Sequence, residues 1–232
     1  MRKRVRRPGV REGYDHWSAT YDETPNPLVA LDRRVTLPAL EPRAGERVLD
    51  AGCGTGVHLA ALCAVRSLAV GLDFSAGMLR VAQQRAPRAH LAQADLNTQL
   101  PVQEQAFDAV LSALVSEHLG NIRRFFSELF MTLRPGGRLV FSAFHPELAR
   151  AGIEANFERD GTEYRLGAER YTVADYLASI SDAGFRSLMW REYRGDDELV
   201  TEVPWASKYK DRPLLLLVQA ERPASTSEDG LA

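Results

Sequence analysis

The chain has little cysteine, no long apolar run and no excess of charge of either sign. Its two cysteines, Cys53 and Cys63, stand ten residues apart, outside any Cys-x-x-Cys pair, and no histidines cluster at metal-ligand spacing. No zinc or other metal is expected, and no disulfide, since Cys53 falls in a glycine loop and Cys63 in the helix after it. That pattern fits a reducing compartment, and the cytoplasm is the expected location. The longest apolar run, "PLLLLVQA" near the C-terminus, is far short of the ~20 residues that cross a bilayer. It reads as a buried strand, and no membrane partner is expected. The 29 Lys and Arg against 31 Asp and Glu leave a net charge of -2, so nothing global argues for nucleic acid. The opening "MRKRVRR" puts five cations into seven residues with no apolar run behind it. It reads as a solvated, disordered tail rather than a secretory signal, a patch for anionic partners being the lesser alternative.

What is present is enough apolar material, 45% of 232 residues, for a substantial core, arranged in alternation. "ERVLDAG", "SLAVGLDF", "AHLAQADL", "AFDAVLSALV" and "RLVFSAF" are short apolar runs, each read as a strand. Helical runs lie between them: "VHLAALCAV", then "SAGMLRVAQQRA" with a Ser75 cap, then "NIRRFFSELFMTLR" with an apolar side of Ile122, Phe125, Phe126, Leu129, Phe130 and Leu133, stopped by "PGG". Strand-helix alternation predicts an α/β fold, a doubly wound, mostly parallel sheet with helices on both faces. The last third is less regular. "TVADYLASISDAGF" reads as a helix between a Thr172 cap and a Gly184 stop, and "RSLMWREY" with "PLLLLVQA" as two closing strands. Pro25 and Pro27 interrupt one or two helices near the start, and no internal repeat is present.

The stretch "VLDAGCGTGVHLA" carries Gly52, Gly54 and Gly56 on the turn from the first of those strands into a helix. In an open α/β sheet that turn lies at the carboxyl edge, where ligands bind. Glycine lets a ligand lie against the backbone, and the free N–H groups of a helix start favour an acceptor group. The spacing is G-x-G-x-G rather than the dinucleotide G-x-G-x-x-G. Asp73, 19 residues after Gly54 in "GLDFS", ends the next strand and can accept from a ribose diol. Asp95, in "AQADL", ends the third and can accept from an exocyclic amine. Each acid alone could be a cap or a solvated loop residue. At three successive strand ends the set describes an adenosine pocket.

"VLDAGCGTG", "GLDFS", "AQADL", "FDAVLSALVSEHL" and "LRPGGRLVFSAF" together resemble the ordered motifs of the class I S-adenosylmethionine-dependent methyltransferases, over about Glu46 to Phe144. "YDHWSATYD" is similar to a segment that many small-molecule members carry. The resemblance implies a Rossmann-like methyltransferase fold of seven strands with the last antiparallel, S-adenosylmethionine as cofactor, and a small-molecule acceptor. It implies that Asp50 and the loop Gly52, Cys53, Gly54 and Gly56 hold the methionine end and that Asp73 takes the ribose hydroxyls. Phe74 and Met78 would flank the adenine, Asp95 and Leu96 would hold its edge, and Ser112 would belong to the same pocket. Tyr14, Trp17 and Tyr21, on the segment that folds over the cofactor in related enzymes, would offer aromatic faces to the sulfonium or simply pack a lid. Three regions follow: residues 1–44 as basic tail and lid helices, 45–222 as the methyltransferase domain with a substrate-covering insertion at about 146–171, and 223–232 as a disordered tail.

In-line methyl transfer needs alignment and exclusion of water more than charge. A base would help with a hydroxyl or amine acceptor. His118 and His145 follow the fourth and fifth strands and are the candidates, with Glu117 a weaker one, and either histidine could equally be structural. Asn156, Phe157, Tyr164 and Arg165 are candidates for the acceptor site. Three other readings stay open: methylation of RNA or protein, a non-catalytic cofactor-binding scaffold, and an NAD-dependent dehydrogenase. The first is weakened by "SALV" standing where amino-directed nucleic-acid enzymes carry a Pro-Pro-aromatic element, the last by the glycine spacing and by Asp95. Carbon, nitrogen and oxygen methylation share this scaffold, so the acceptor atom stays open, as does the oligomeric state.

Overall fold

The structure, a computed structural model, describes residues 4–225. The elements run β1 (Arg4–Arg6), α1 (Val10–Trp17), α2 (Pro27–Leu40), β2 (Arg47–Ala51), α3 (Val57–Ala64), β3 (Leu68–Asp73), α4 (Ala76–Arg85), β4 (His90–Gln93) and β5 (Phe107–Ala113). A short 3₁₀ turn, Ser116–His118, leads to α5 (Ile122–Thr132), β6 (Leu133–Phe144), α6 (Pro146–Arg150), β7 (Asn156–Arg159), β8 (Thr162–Arg165) and α7 (Val173–Asp182). The chain closes with β9 (Arg186–Arg194), α8 (Asp197–Glu202), a second 3₁₀ turn and β10 (Pro213–Glu221).

Seven strands form one sheet in the order β4-β3-β2-β5-β6-β10-β9. β2, β3, β4, β5 and β6 pair in parallel, while β10 runs antiparallel to both β6 and β9. The fold is thus the doubly wound Rossmann-like one expected, with the last strand reversed. The central strands are buried on both faces, and neighbouring residues point to opposite cores. Leu49, Val110 and Phe141 join one cluster with Phe125, Phe126 and Leu129 of α5 and Tyr176 and Ile180 of α7. Val48, Leu111 and Val140 join another with Leu59 and Leu62 of α3 and Leu40 of α2. Burying each such side chain contributes about 1.5–3 kcal/mol, so the two-sided core anchors the strand ends that carry the site.

The helix starts read from the sequence are present. The Ser75 side chain accepts from Met78 N at the head of α4, and Thr172 with Asp175 forms a reciprocal capping box on α7. The Pro135-Gly136-Gly137 stretch departs from expectation. It lies inside β6, which begins at Leu133, as an irregularity where Phe107 pairs with Leu133 but Ala109 with Arg138. The basic start also needs correcting. Arg4–Arg6 form β1 and pair in parallel with Thr162–Tyr164 of the β7–β8 hairpin. Arg7 forks onto Glu154 with two hydrogen bonds of 2.9 Å. These residues are exposed, as expected, but backbone pairing and a charge-assisted fork order them. Met1–Lys3 and most of the expected tail 223–232 lie outside the described residues.

Candidate active site

The site is built at the carboxyl edge of β2, β3, β4 and β5. A cavity of about 370 Å³ opens there. Gly52, Cys53 and Gly54 line it from the turn after β2, and Asp73, Phe74 and Met78 from the β3–α4 junction. Asp95 and Leu96 come from the end of β4, His118 from the 3₁₀ turn, and Tyr14 and Tyr21 from the N-terminal segment. Eleven of the residues singled out from the sequence therefore converge on one space.

The glycines do different work. Gly54 has φ +52° and nothing within 4 Å of where a Cβ would stand, so its backbone is the face left open. Gly56, with φ +79°, caps α3 outside the cavity, and a Cβ there would meet Ala82 Cα at 2.9 Å. It is glycine so that α3 and α4 can approach. Asp73 accepts from Gly54 N at 2.8 Å through one oxygen and from Ser75 N at 2.9 Å through the other. Burial raises its carboxyl and these bonds pull it back, leaving it above the ordinary value. The Phe74 backbone adds a further bond to this carboxylate, which still keeps acceptor capacity for a diol. One oxygen of Asp95 accepts from Asn97 N and Nδ2, which leaves the other without a partner among the described residues.

Asp50 lies behind the loop, 1% exposed, and neither carboxylate oxygen has a hydrogen-bond partner among the described residues. Burial raises its carboxyl to about 7, with the charges of Asp32 and Asp73 pushing the same way and His58 opposing. A buried carboxyl without donors either keeps its proton or takes a cation or donor groups brought by a ligand. His58 lines the same cavity and pairs through Nε2 with Asp32 at 2.8 Å. Burial alone would lower His58, but the bond to Asp32 and the charges of Asp32 and Asp50 together outweigh it and the imidazole is raised. Asp32 is itself held by the Thr36 hydroxyl at 2.6 Å and the Ser142 hydroxyl at 2.5 Å. Arg33 stands beside His58 on the cavity wall. Sequence reasoning missed this group. An Asp within the apolar run "PLVALDRRVTLPAL" was the one available signal, and its partners lie up to 110 residues away.

The N-terminal segment is fastened over the site. Asp15 accepts from Ser75 Oγ at 2.6 Å and Gly77 N at 2.8 Å, tying α1 to the start of α4. Asp22 meets Arg85 at 2.8 Å, and Arg85 reaches Thr55 Oγ1 at 2.7 Å. Tyr14 Oη and His118 Nε2 share a hydrogen bond of 2.9 Å. Burial drives His118 down to about 4, so its ring is neutral near pH 7.

A second cavity, of about 600 Å³, adjoins the first, and Tyr14, Tyr21, Val29 and Leu114 line both. Leu114 directly follows β5 at φ +53°, a conformation non-glycine residues rarely adopt. Trp17 lines this second space rather than the first, together with Asn156, Phe157 and Glu117. Trp17 stacks on Phe157 at 5.0 Å and Phe157 on Tyr164 at 4.8 Å, which joins α1 to the β7–β8 hairpin. Tyr164 and Arg165 stand outside the lining; Arg165 pairs with Glu163 and Glu154.

Besides Trp17 and Gly56, which lie outside the first cavity, two further expectations are corrected. His145 is not brought to either cavity. It is 2% exposed, caps α6 by accepting from Glu147 N, and pairs through Nε2 with Glu192 at 3.2 Å. Pro146 starts a helix directly after it, so the side chain serves that helix. Ser112 is fully buried behind the loop, donating to Ala51 O at 2.8 Å, and fastens β5 to β2 rather than facing the cavity. Both cysteines are buried free thiols. Among the described residues no His, Cys, Asp or Glu cluster could hold a metal ion, and no helix is long and apolar enough to cross a membrane.

A glycine turn followed by acids at successive strand ends, under a clamped N-terminal segment, defines a nucleoside-donor site of the methyltransferase type. A methyltransferase-domain family model matches residues 49–141. A demethylmenaquinone methyltransferase of Tropheryma whipplei (strain Twist) is 33% identical over 204 residues, covering 78% of this chain and 85% of that protein. Another of that name, from Clavibacter sepedonicus, is 38% identical over 148 residues, and the match spans 60% of each. The solved S-adenosylmethionine-dependent methyltransferase of Mesorhizobium loti superposes with a TM-score of 0.69 at 26% identity, covering 82% of this chain and 97% of that one. The chain belongs to the class I S-adenosylmethionine-dependent methyltransferases of the small-molecule type.

Proposed function

We propose that this methyltransferase acts on a planar, hydroxyl-bearing ring with an apolar tail, seated in the second cavity, while S-adenosylmethionine occupies the first. The single observation that carries this reading is the shared wall. Two spaces meet at Tyr14, Tyr21, Val29 and Leu114, so a donor in one and an acceptor in the other would face each other without water between them. The second space has aromatic walls in Trp17 and Phe157 and apolar ones in Leu148, Ile153 and Leu214. The relatives named for demethylmenaquinone support an acceptor of that kind.

The residues present fit the donor. When bound, S-adenosylmethionine supplies an electrophilic methyl on a positively charged sulfur. Asp50, with both oxygens orphaned, would take the methionine ammonium. Arg33 and the Asp32-supported His58 would take its carboxylate, so the methionine end meets matching charges. Asp73 would hold the ribose hydroxyls and Asp95 the adenine amine. Tyr14 and Tyr21 would present ring faces toward the sulfonium, an attraction of roughly 0.5–2 kcal/mol. The neutral His118 holds the Tyr14 ring in place and is a positioning residue. The cytoplasm is the proposed location, in keeping with the two free thiols.

Two measurements test this. Asp73→Ala should weaken binding of S-adenosylhomocysteine by tens-fold, about 2 kcal/mol for lost charge-assisted bonds. Unchanged affinity by calorimetry would remove the donor assignment. Incubation with prenylated naphthoquinols and simpler phenols, read by mass spectrometry, should show the gain of one methyl group. Turnover of amines alone would refute the acceptor class.

A further inference from the structure

Among the buried ionisable groups, Glu117 has no task in the donor site. It sits in the 3₁₀ turn Ser116–His118, whose other groups are all fastened. Ser116 Oγ and Tyr176 Oη share a hydrogen bond of 2.9 Å, and His118 is held by Tyr14. The Glu117 carbonyl accepts from Glu169 N at 2.8 Å, and the Leu119 carbonyl accepts from Tyr171 Oη at 2.6 Å. The turn is a rigid mount. Glu117 lines the second cavity, and its Oε2 is buried with no hydrogen-bond partner among the described residues. A fixed backbone that carries a carboxylate to the wall of the acceptor chamber and leaves one of its oxygens buried and unmatched is a site short of one O–H group, which an acceptor seated against that wall would bring.

We propose that Glu117 Oε2 is the proton acceptor of the reaction, taking the hydroxyl proton of the acceptor ring. This rests on the reading of the second cavity as the acceptor chamber. The O–H bond breaks, its proton goes to Oε2, and its electron pair remains on the oxygen, conjugated with the ring, as the nucleophile that would take the methyl from the donor's sulfur while the sulfur keeps the bonding pair. Where a ring carbon takes the methyl, the proton of that carbon would return to the ring oxygen. The proton passes from Oε2 to water after product leaves. Burial raises the Glu117 carboxyl to about 7, which is where a base working near neutral pH should lie. His118, beside it, is driven to about 4 and is the poorer base. The groups facing Glu117 are the phenols of Tyr14, Tyr21 and Tyr176, all raised in part by its charge. Glu23, Glu154, Glu158 and Arg159 line the same cavity. The Glu117 carboxyl is raised by burial and pulled back only by its own backbone N–H.

The test uses the full chain, S-adenosylmethionine and a short-chain 2-prenyl-1,4-naphthoquinol kept reduced. The ionised form is the active one, so kcat/KM should fall tenfold per pH step below about 7 and level off above it. Glu117→Gln should lower kcat on the order of 100-fold or more and flatten that profile, with S-adenosylhomocysteine affinity unchanged. Glu117→Asp keeps a retracted carboxylate and should restore part of kcat with the pH dependence. A Glu117→Gln enzyme with wild-type kcat and profile overturns the proposal. If the wild type methylates no phenolic probe, the acceptor reading fails on its own. Glu117 is then judged by infrared titration of ¹³C-labelled carboxyls. Asp50 is raised to about 7 as well, so the comparison is made in an Asp50→Asn background: a band that titrates near neutral there and is lost on adding Glu117→Gln supports the proton acceptor, and no such band in Asp50→Asn overturns it.

Discussion

Replacing Asp50 with asparagine should make the free protein more stable and the enzyme worse. Both carboxylate oxygens are buried without donors, and the carboxyl is raised from 3.8 to about 7, mainly by burial. For an acid raised on folding, the unfolded chain gives up its proton first as pH increases. The cost of folding is therefore absent below pH 3.8, grows up to about pH 7, and is complete above it. That gap corresponds to at most ~4 kcal/mol at pH 8, of which about a third is already present at pH 5. Asp50→Asn removes the titration, so its gain in urea-unfolding free energy should be larger at pH 8 than at pH 5, by roughly 2–3 kcal/mol. S-adenosylhomocysteine affinity, measured by calorimetry at pH 8, should fall at least ~10-fold, since a buried charge-assisted bond contributes about 1.5–3 kcal/mol. An equal gain at the two pH values would show that Asp50 does not titrate as the burial requires. Unchanged affinity would show that its oxygens are not waiting for the ligand's ammonium.

Other outcomes follow from single contacts. Phe126→Ala empties a fully buried position where α5 meets Phe141, and urea unfolding should show a loss of about 3–5 kcal/mol; a loss below ~1 kcal/mol would contradict its central place in the core. Gly56→Ala sets a methyl against Ala82 at positive φ and should cost on the order of 1–3 kcal/mol, read as a lower midpoint with the donor cavity otherwise intact. Asp15→Ala cuts the tie between α1 and the start of α4. Limited proteolysis should then cleave the segment before α2 faster while the midpoint for the sheet barely moves, and identical cleavage rates would show that other contacts hold that segment.

The sequence by itself determined the sheet and the donor rim. Val48, Leu49, Ala109, Val110 and Leu111 are apolar in unbroken runs because strands covered on both faces need them so. Gly54 and Asp73 are legible because a βα turn recurs at short, fixed spacing, and the local chemistry names the ligand group. Only the tertiary structure decided the rest. His118 and His145 look alike as loop histidines after strands, yet one faces Tyr14 in a cavity and the other caps α6 against Glu192. Nothing near Arg4–Arg6 announces a partner at Thr162–Tyr164, and nothing near Asp32 announces Ser142 or His58. Local patterns are set by backbone geometry, which repeats and can be read. Which polar groups meet across long stretches of chain is set by how the layers close, and a hydroxyl or carboxylate fits many partners equally well until they do.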